Sequence, residues 1–200
     1  MAIFLIGTVV ALHGKSIAWQ EHCLKDIFSR HKKKSSALTT GFNSVGKILN
    51  IYIAHSGGSI MQSIETADLH ASKGIRGDRY FSEHGYHTKK NGRLVSKAIT
   101  LIESEEIDHF NRTHGFNFHY ADFRRNIITQ GIRLNQFEGE DFMLGDIRLR
   151  GVELCEPCAH LANLLAPEAL SKMVHRAGLR AHVIDSGRVT CGQTVSGLAG

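Results

Sequence analysis

Cysteine is sparse in this chain, an apolar run of membrane length is missing, and beyond the first 45 residues there is almost no excess of either charge. Four cysteines in 200 residues, Cys23, Cys155, Cys158 and Cys191, lack the density of a secreted disulfide scaffold. A body of about 150 residues needs no such staples, since it buries roughly 68–70% of its unfolded surface by itself. A reduced, cytoplasmic setting is the expectation. No segment is long and apolar enough for a membrane span, so no membrane partner is expected. Ala2 to Leu12 is apolar, but no basic residue precedes it and His13-Gly14-Lys15 follows it, which argues against a signal peptide. The net charge of +5 is uneven: residues 1–45 hold six Lys/Arg and two Asp/Glu, so +4 of it lies there. The rest of the chain is close to neutral, which gives no footing for nucleic-acid binding. There is no internal repeat. No strand leads into Gly-x-Gly-x-x-Gly, so the nicotinamide and flavin fingerprint is absent.

What is present divides in two. Residues 1–45 carry the basic run Arg30-His31-Lys32-Lys33-Lys34 and a Ser/Thr stretch, Ser35 to Thr40, and read as a solvated, poorly ordered extension. From Gly46 to Gly200 the pattern is that of one folded domain. Lys47 to Ala54 predicts a first strand, bounded by Gly57-Gly58, and Ile64 to Leu69 a second. Gly74 to Arg79 is a glycine-punctuated charged loop, Ala98 to Ile102 a short strand, and Ser104 to Asn111 a polar helix stopping near Gly115. Asn126 to Thr129 predicts a strand. Phe142 to Leu144 and Ile147 to Leu154 predict a hairpin around Gly145-Asp146, with a β-bulge at Gly151 where the alternation slips by one residue. His160 onward predicts a helix running to Val174, and Ala181–Ile184 with Arg188–Thr190 a closing hairpin. Many short strands with few helices make the fold α+β, mainly β: a barrel or sandwich.

The chemistry is concentrated at Cys155-Glu156-Pro157-Cys158, where a strand gives way to an apolar helix. A thiol at a helix start faces the positive end of the backbone dipole, which favours thiolate. Such a thiolate attacks, carries sulfur or ligates a soft metal. Structural zinc would need four ligands, and there is no second Cys-x-x-Cys; His160, His175 and His182 fit no standard zinc spacing. Thiol–disulfide exchange suits the local strand, Cys-x-Pro-Cys, helix order, but asks for a βαβ setting and a downstream cis-proline, and the only other proline is Pro167. A single working thiolate with Cys155 as bystander is the third reading, and two buried apolar cysteines the fourth.

Four segments, in order, resemble a known family. Glu153 to Leu161 is similar to the cysteine signature of MOSC domains, named after the C-terminal domain of molybdenum cofactor sulfurase. Lys73-Gly74-Ile75-Arg76-Gly77-Asp78-Arg79-Tyr80 resembles the family's Lys-Gly-(x-x)-Gly-Asp-Arg loop. Phe123 to Ile132 resembles its Arg-x-Asn-(apolar)-x-x-x-Gly segment, and Gly178 to Ile184 with Gly187 its closing hairpin. The likeness spans about Gly46 to Val195. The sequence departs from the pattern at Arg125, where proline is frequent, and at Gly192-Gln193, where Gly-Asp is common.

The resemblance implies a β-barrel-like MOSC domain with a few flanking helices. Members related to hydroxylaminopurine-resistance proteins and the amidoxime reducing component bind molybdenum cofactor and reduce N-hydroxylated compounds. In that pattern Cys158 is the catalytic residue and the molybdenum ligand. Other MOSC domains are thought to carry sulfur as a cysteine persulfide. A pterin dithiolene ending in phosphate needs basic and amide partners, and Lys73, Asp78, Arg79, Arg124, Asn126 and Arg180 fall in the matching segments. Asn126 suits a pterin edge or a strand-end cap, and Asp78 a ligand contact or ordinary turn chemistry. The expected partners are a small N-hydroxylated substrate and a separate electron-donor protein. The alternatives are a sulfur carrier and, further off, a dithiol oxidoreductase.

Overall fold

The computed structural model describes residues 45–82 and 99–198, together with the backbone of two short strands between them. The extension read at residues 1–45 lies, but for Val45, outside the described residues. The strands are β1 (Val45–Ile53), β2 (Gln62–Ile64), β3 (Thr66–His70), β4 (Gly74–Ile75), β5 (Lys89–Lys90), β6 (Arg93–Leu94), β7 (Ile99–Glu103), β8 (Ile127–Gln130), β9 (Asp141–Leu144), β10 (Ile147–Leu154), β11 (Leu179–Val183), β12 (Gly187–Thr190) and β13 (Thr194–Gly197). The helices are α1 (Ser104–His114), α2 (Ala159–Leu164) and α3 (Ala169–Lys172).

The main sheet runs β13-β9-β10-β11-β7-β8-β1-β2, and β13 also pairs with β1. That last pairing closes a barrel, so its strands have no open edge, and β2 hangs from β1. All its pairings are antiparallel except β7 with β8. A smaller sheet, β12-β3-β4, shares no ladder with it, but its Ala67, Leu69, Ile75 and Val189 pack into the same core.

Two apolar clusters explain the residue pattern. Inside the barrel pack Ile48, Ile51, Leu101, Ile127, Leu149 and Val195, with Phe137 and Phe142 stacked at 4.7 Å between centroids. Outside it, Tyr52, Ile102 and Ile128 turn the other way and meet Ile107 and Phe110 of α1 and Leu161 of α2. Strands β7 and β8 are covered on both faces, which is why β7 is buried at every position, its polar Thr100 and Glu103 included.

Several expectations hold locally. The β9–β10 hairpin turns at Gly145, and the β10–β11 register shifts between Gly151 and Glu153, where the bulge is expected. A Cβ at Gly151 would stand 1.8 Å from the Phe137 carbonyl oxygen, so the bulge demands glycine. Other expectations are corrected. Ile64 to Leu69 is two strands, broken at Glu65, in two different sheets. Ala181–Ile184 and Arg188–Thr190 do not form a hairpin: β11 pairs with β10 and β7, while β12 pairs with β3. The helix expected from His160 to Val174 breaks at Leu165, whose φ of −105° and ψ of −87° leave the helical region just before Pro167.

At the end of β7, Glu103 is buried, and burial pushes its carboxyl up to about 7, with Glu106 adding to the rise. The Leu134 N–H, donating to Glu103 Oε1 at 2.8 Å, and the charge of Arg133 pull the other way. Glu106, also buried, is paired with Arg133 at 2.6 Å and with Arg176. Among the described residues no helix is long and apolar enough to cross a membrane.

Candidate functional site

The site is built on a buried polar knot. Asp78 and Asn126 are both fully buried. Asp78 Oδ1 accepts from the Ala54 N–H at 3.0 Å, Asn126 Nδ2 at 3.1 Å and Arg79 Nη1 at 3.2 Å, and its Oδ2 accepts from the Tyr80 N–H at 3.1 Å. Asn126 Oδ1 accepts from the Thr100 N–H at 3.2 Å and from Thr100 Oγ1 at 2.9 Å, while its Nδ2 also donates to the Tyr52 carbonyl at 3.1 Å. These two side chains therefore tie the end of β1, the 76–80 turn, β7 and the start of β8 together. Gly77, at φ +85°, lets the turn bring Asp78 inward.

The arginines project from this frame. Arg79 is nearly buried; its guanidinium donates to Asp78, to Met61 Sδ at 3.4 Å and to the Arg124 carbonyl at 3.3 Å, and lies over the Tyr80 ring at 4.7 Å. Arg124 follows the 3-10 turn Tyr120–Phe123, which His119 and Asp122 cap reciprocally. It takes up left-handed backbone, φ 56°, and donates Nη1 to the Ser59 carbonyl at 2.8 Å. Arg125 donates Nε to the Ala177 carbonyl at 2.8 Å. Arg180, on β11, is paired with Glu153 at 2.6 Å; burial lowers its pKa, but the charges of Cys155 and Glu153 outweigh that and raise it overall. Gly178 places β11 close to β7: a Cβ there would stand 2.0 Å from the Leu101 carbonyl oxygen, and its own carbonyl accepts from the Cys155 N–H at 2.7 Å.

Into the space between these groups comes Cys158. It is exposed, at the N-cap of α2, whereas Cys155 is 1% exposed. None of Cys155, Cys158 and Cys191 is in a disulfide. A narrow cleft open to solvent is lined by Cys158 and by Arg79, Arg124, Arg125 and Arg180. Tyr80, Thr100, Glu156 and His160 complete its polar wall, and Leu161 and Leu164 its apolar side. Because α2 has six residues, its dipole has little reach. Glu156 is latched by His175: Oε1 lies 2.5 Å from His175 Nδ1, and Oε2 accepts the His175 N–H at 3.0 Å.

Of the residues expected from sequence, the structure gathers Cys158, Arg79, Arg124 and Arg180 in one cleft. Asp78 and Asn126 stand behind the wall, with their hydrogen-bonding atoms engaged inside the protein. Lys73 is exposed, does not line the cleft and extends over the Phe81 ring at 5.9 Å. Sequence reasoning gave no role to Arg125, Tyr80 or Thr100. Arg125 and Tyr80 lie inside the matching segments, but Thr100 in an apolar strand offered no signal. Among the described residues no three His, Cys, Asp or Glu side chains gather into a metal site, so zinc held by protein ligands alone finds no cage there. The closed barrel is likewise not the βαβ setting that dithiol exchange needs.

Comparison with known proteins agrees with this architecture. The model of the MOSC domain matches residues 65–196. The chain is similar to the crystal structure of YUAD protein from Bacillus subtilis, with TM-score 0.66 and 18% identity over 76% of this chain and 94% of that one. It is also similar to YiiM from Geobacillus stearothermophilus, with TM-score 0.58 and 13% identity over 77% and 75% of the two chains. For YiiM from Escherichia coli the TM-score is 0.53 and the identity 16%, over 77% and 70%. At these identities the structures share a fold. No curated protein matches the sequence.

Proposed function

Because the chain belongs to the MOSC domain family, whose chemistry is that of molybdenum cofactor and carried sulfur, we propose that it binds molybdenum cofactor through Cys158 and reduces N-hydroxylated compounds. The observation that carries the reading is an exposed thiol in a cleft walled by the guanidinium groups of Arg79, Arg124, Arg125 and Arg180. The donor set fits the group. One soft sulfur is available, and the described residues offer no multi-ligand cage, which suits a metal that arrives with its own dithiolene sulfurs. Arginine forks suit a terminal phosphate.

In this reading Cys158 would hold the metal, with Arg79, Arg124 and Arg180 toward the phosphate, while Asp78, braced by Asn126, fixes Arg79 without touching the ligand. Lys73 is a more distant contributor of positive charge. When bound, the cofactor supplies the two-electron redox couple. The overall change is R–NH–OH plus two electrons and two protons, giving R–NH2 and water. The electrons come from a separate donor protein, and the cytoplasm is the compartment assumed. A groove that shares Arg124 and Leu164 with the cleft is lined by Ile60, Met61 and Ala121, with Asp122 as its carboxylate, and offers a mixed surface for the substrate's body.

The test is turnover of an N-hydroxylated probe, with an artificial electron donor, by protein made in a cofactor-competent host. Wild type reduces it and Cys158→Ser does not; equal turnover by the variant ends the proposal. A labile one-sulfur mass increment on Cys158, in protein without molybdenum, would identify a sulfur carrier instead.

A further inference from the structure

We infer that Arg125 selects for an anionic group on the molecule that reaches Cys158, so that the substrate is an N-hydroxylated compound bearing a carboxylate or a phosphate. This rests on the reading of the cleft given above. Two of the cleft arginines are ion-paired: Arg79 with Asp78, and Arg180 with Glu153. Arg125 is different. Among the described residues it makes no ion pair, and its bond is to a neutral carbonyl, that of Ala177. A carbonyl partner orients a guanidinium without cancelling its charge, and this bond uses one of five N–H groups. The only carboxylate lining the cleft among the described residues is Glu156, and both its oxygens are engaged by His175. Among the described residues, then, no carboxylate of the cleft is paired with Arg125, and its positive charge is left for a ligand.

The charge is also held in place. Asn126, next in the chain, is fully buried in the polar knot, and Ala177 is fully buried at the approach to β11. A half-buried planar fork, tethered at both its backbone and its Nε, is preorganised for a two-oxygen anion. It shares its wall with Cys158, so an anion seated on it lies beside the reacting position.

The test uses the full cofactor-free chain and two alkylating reagents of nearly equal size, anionic iodoacetate and neutral iodoacetamide. In each, the Cys158 thiolate attacks the methylene carbon, a sulfur–carbon bond forms and iodide leaves. Mass spectrometry of the Cys158 peptide gives the two rates. The ratio of the iodoacetate to the iodoacetamide rate should fall about fivefold in Arg125→Gln, the effect of one partly screened charge. It should recover in part in Arg125→Lys and stay unchanged in Arg148→Gln, which removes an exposed arginine paired with Asp185. A ratio in Arg125→Gln equal to wild type overturns the inference. If wild-type Cys158 reacts with neither reagent, the reachable thiol of the proposed function is refuted, and inorganic phosphate decides the anion claim. A phosphate-induced rise in melting temperature that Arg125→Gln abolishes upholds it, and one that Arg125→Gln retains, or none in wild type, overturns it.

Discussion

Glu103→Gln should stabilise the protein in a strongly pH-dependent way. Burial raises the Glu103 carboxyl from 4.5 to about 7. The folded state thus binds its proton more tightly than the unfolded chain does. The resulting cost to stability is absent below the unfolded pKa, grows as pH rises between the two values, and is complete above about 7. A shift of this size corresponds to roughly 3 kcal/mol. Glutamine keeps an oxygen for the Leu134 N–H and never ionises. The variant should therefore exceed wild type by under about 1 kcal/mol at roughly pH 5 and by about 3 kcal/mol near pH 8, apart from a constant offset. Urea unfolding of both proteins at the two pH values measures this, provided the slopes agree. The informative quantity is the change with pH, because any packing defect of the amide cancels. A difference that stays flat across the range would show that Glu103 is not held in its acid form, and the reasoning from burial would fail.

Asp78→Ala should cost about 3–5 kcal/mol, because it strands the nearly buried Arg79 without its partner; chemical denaturation checks it, and a loss under about 1 kcal/mol would mean that water replaces the carboxylate. Gly151→Ala should cost about 3 kcal/mol or more by driving a methyl group into the Phe137 carbonyl, seen as a fall in melting temperature; an unchanged value would refute the tight bulge. Cys155→Ser should retain turnover of the N-hydroxylated probe, since that sulfur is 1% exposed. An inactive, folded Cys155→Ser would return the dithiol reading to the front.

The parts of this fold that were legible in the sequence are those governed by local rules. The alternation slip at Gly151 marks its bulge, and Gly115, at φ 70°, ends α1. Long-range pairing was not legible. The segment around Asp185-Ser186-Gly187 looks like a hairpin turn, yet β11 pairs with β7 and β10 inside the barrel, while β12 leaves it to pair with β3 in the smaller sheet. The helix break at Leu165 was signalled by Pro167, but the apolar run through Leu164 and Leu165 outweighed it. The final strand β13, short and bounded by glycine, left little pattern, although it is the strand that closes the barrel. At the site, the residue types were visible and their depth was not. Asp78 and Asn126 look alike in sequence to ligand-binding groups, and only their burial shows that their bonds are spent on the scaffold. Arg125 stood out as a departure from the family's pattern, but its place in the cleft depends on the Ala177 carbonyl, 52 residues away in sequence.

The most direct measurement is the molybdenum content of the full chain purified from a cofactor-competent host, wild type beside Cys158→Ser. Close to one molybdenum with its pterin per wild-type chain is expected, and almost none in a folded Cys158→Ser protein. Wild-type protein devoid of molybdenum, or equal loading of the serine variant, would contradict this.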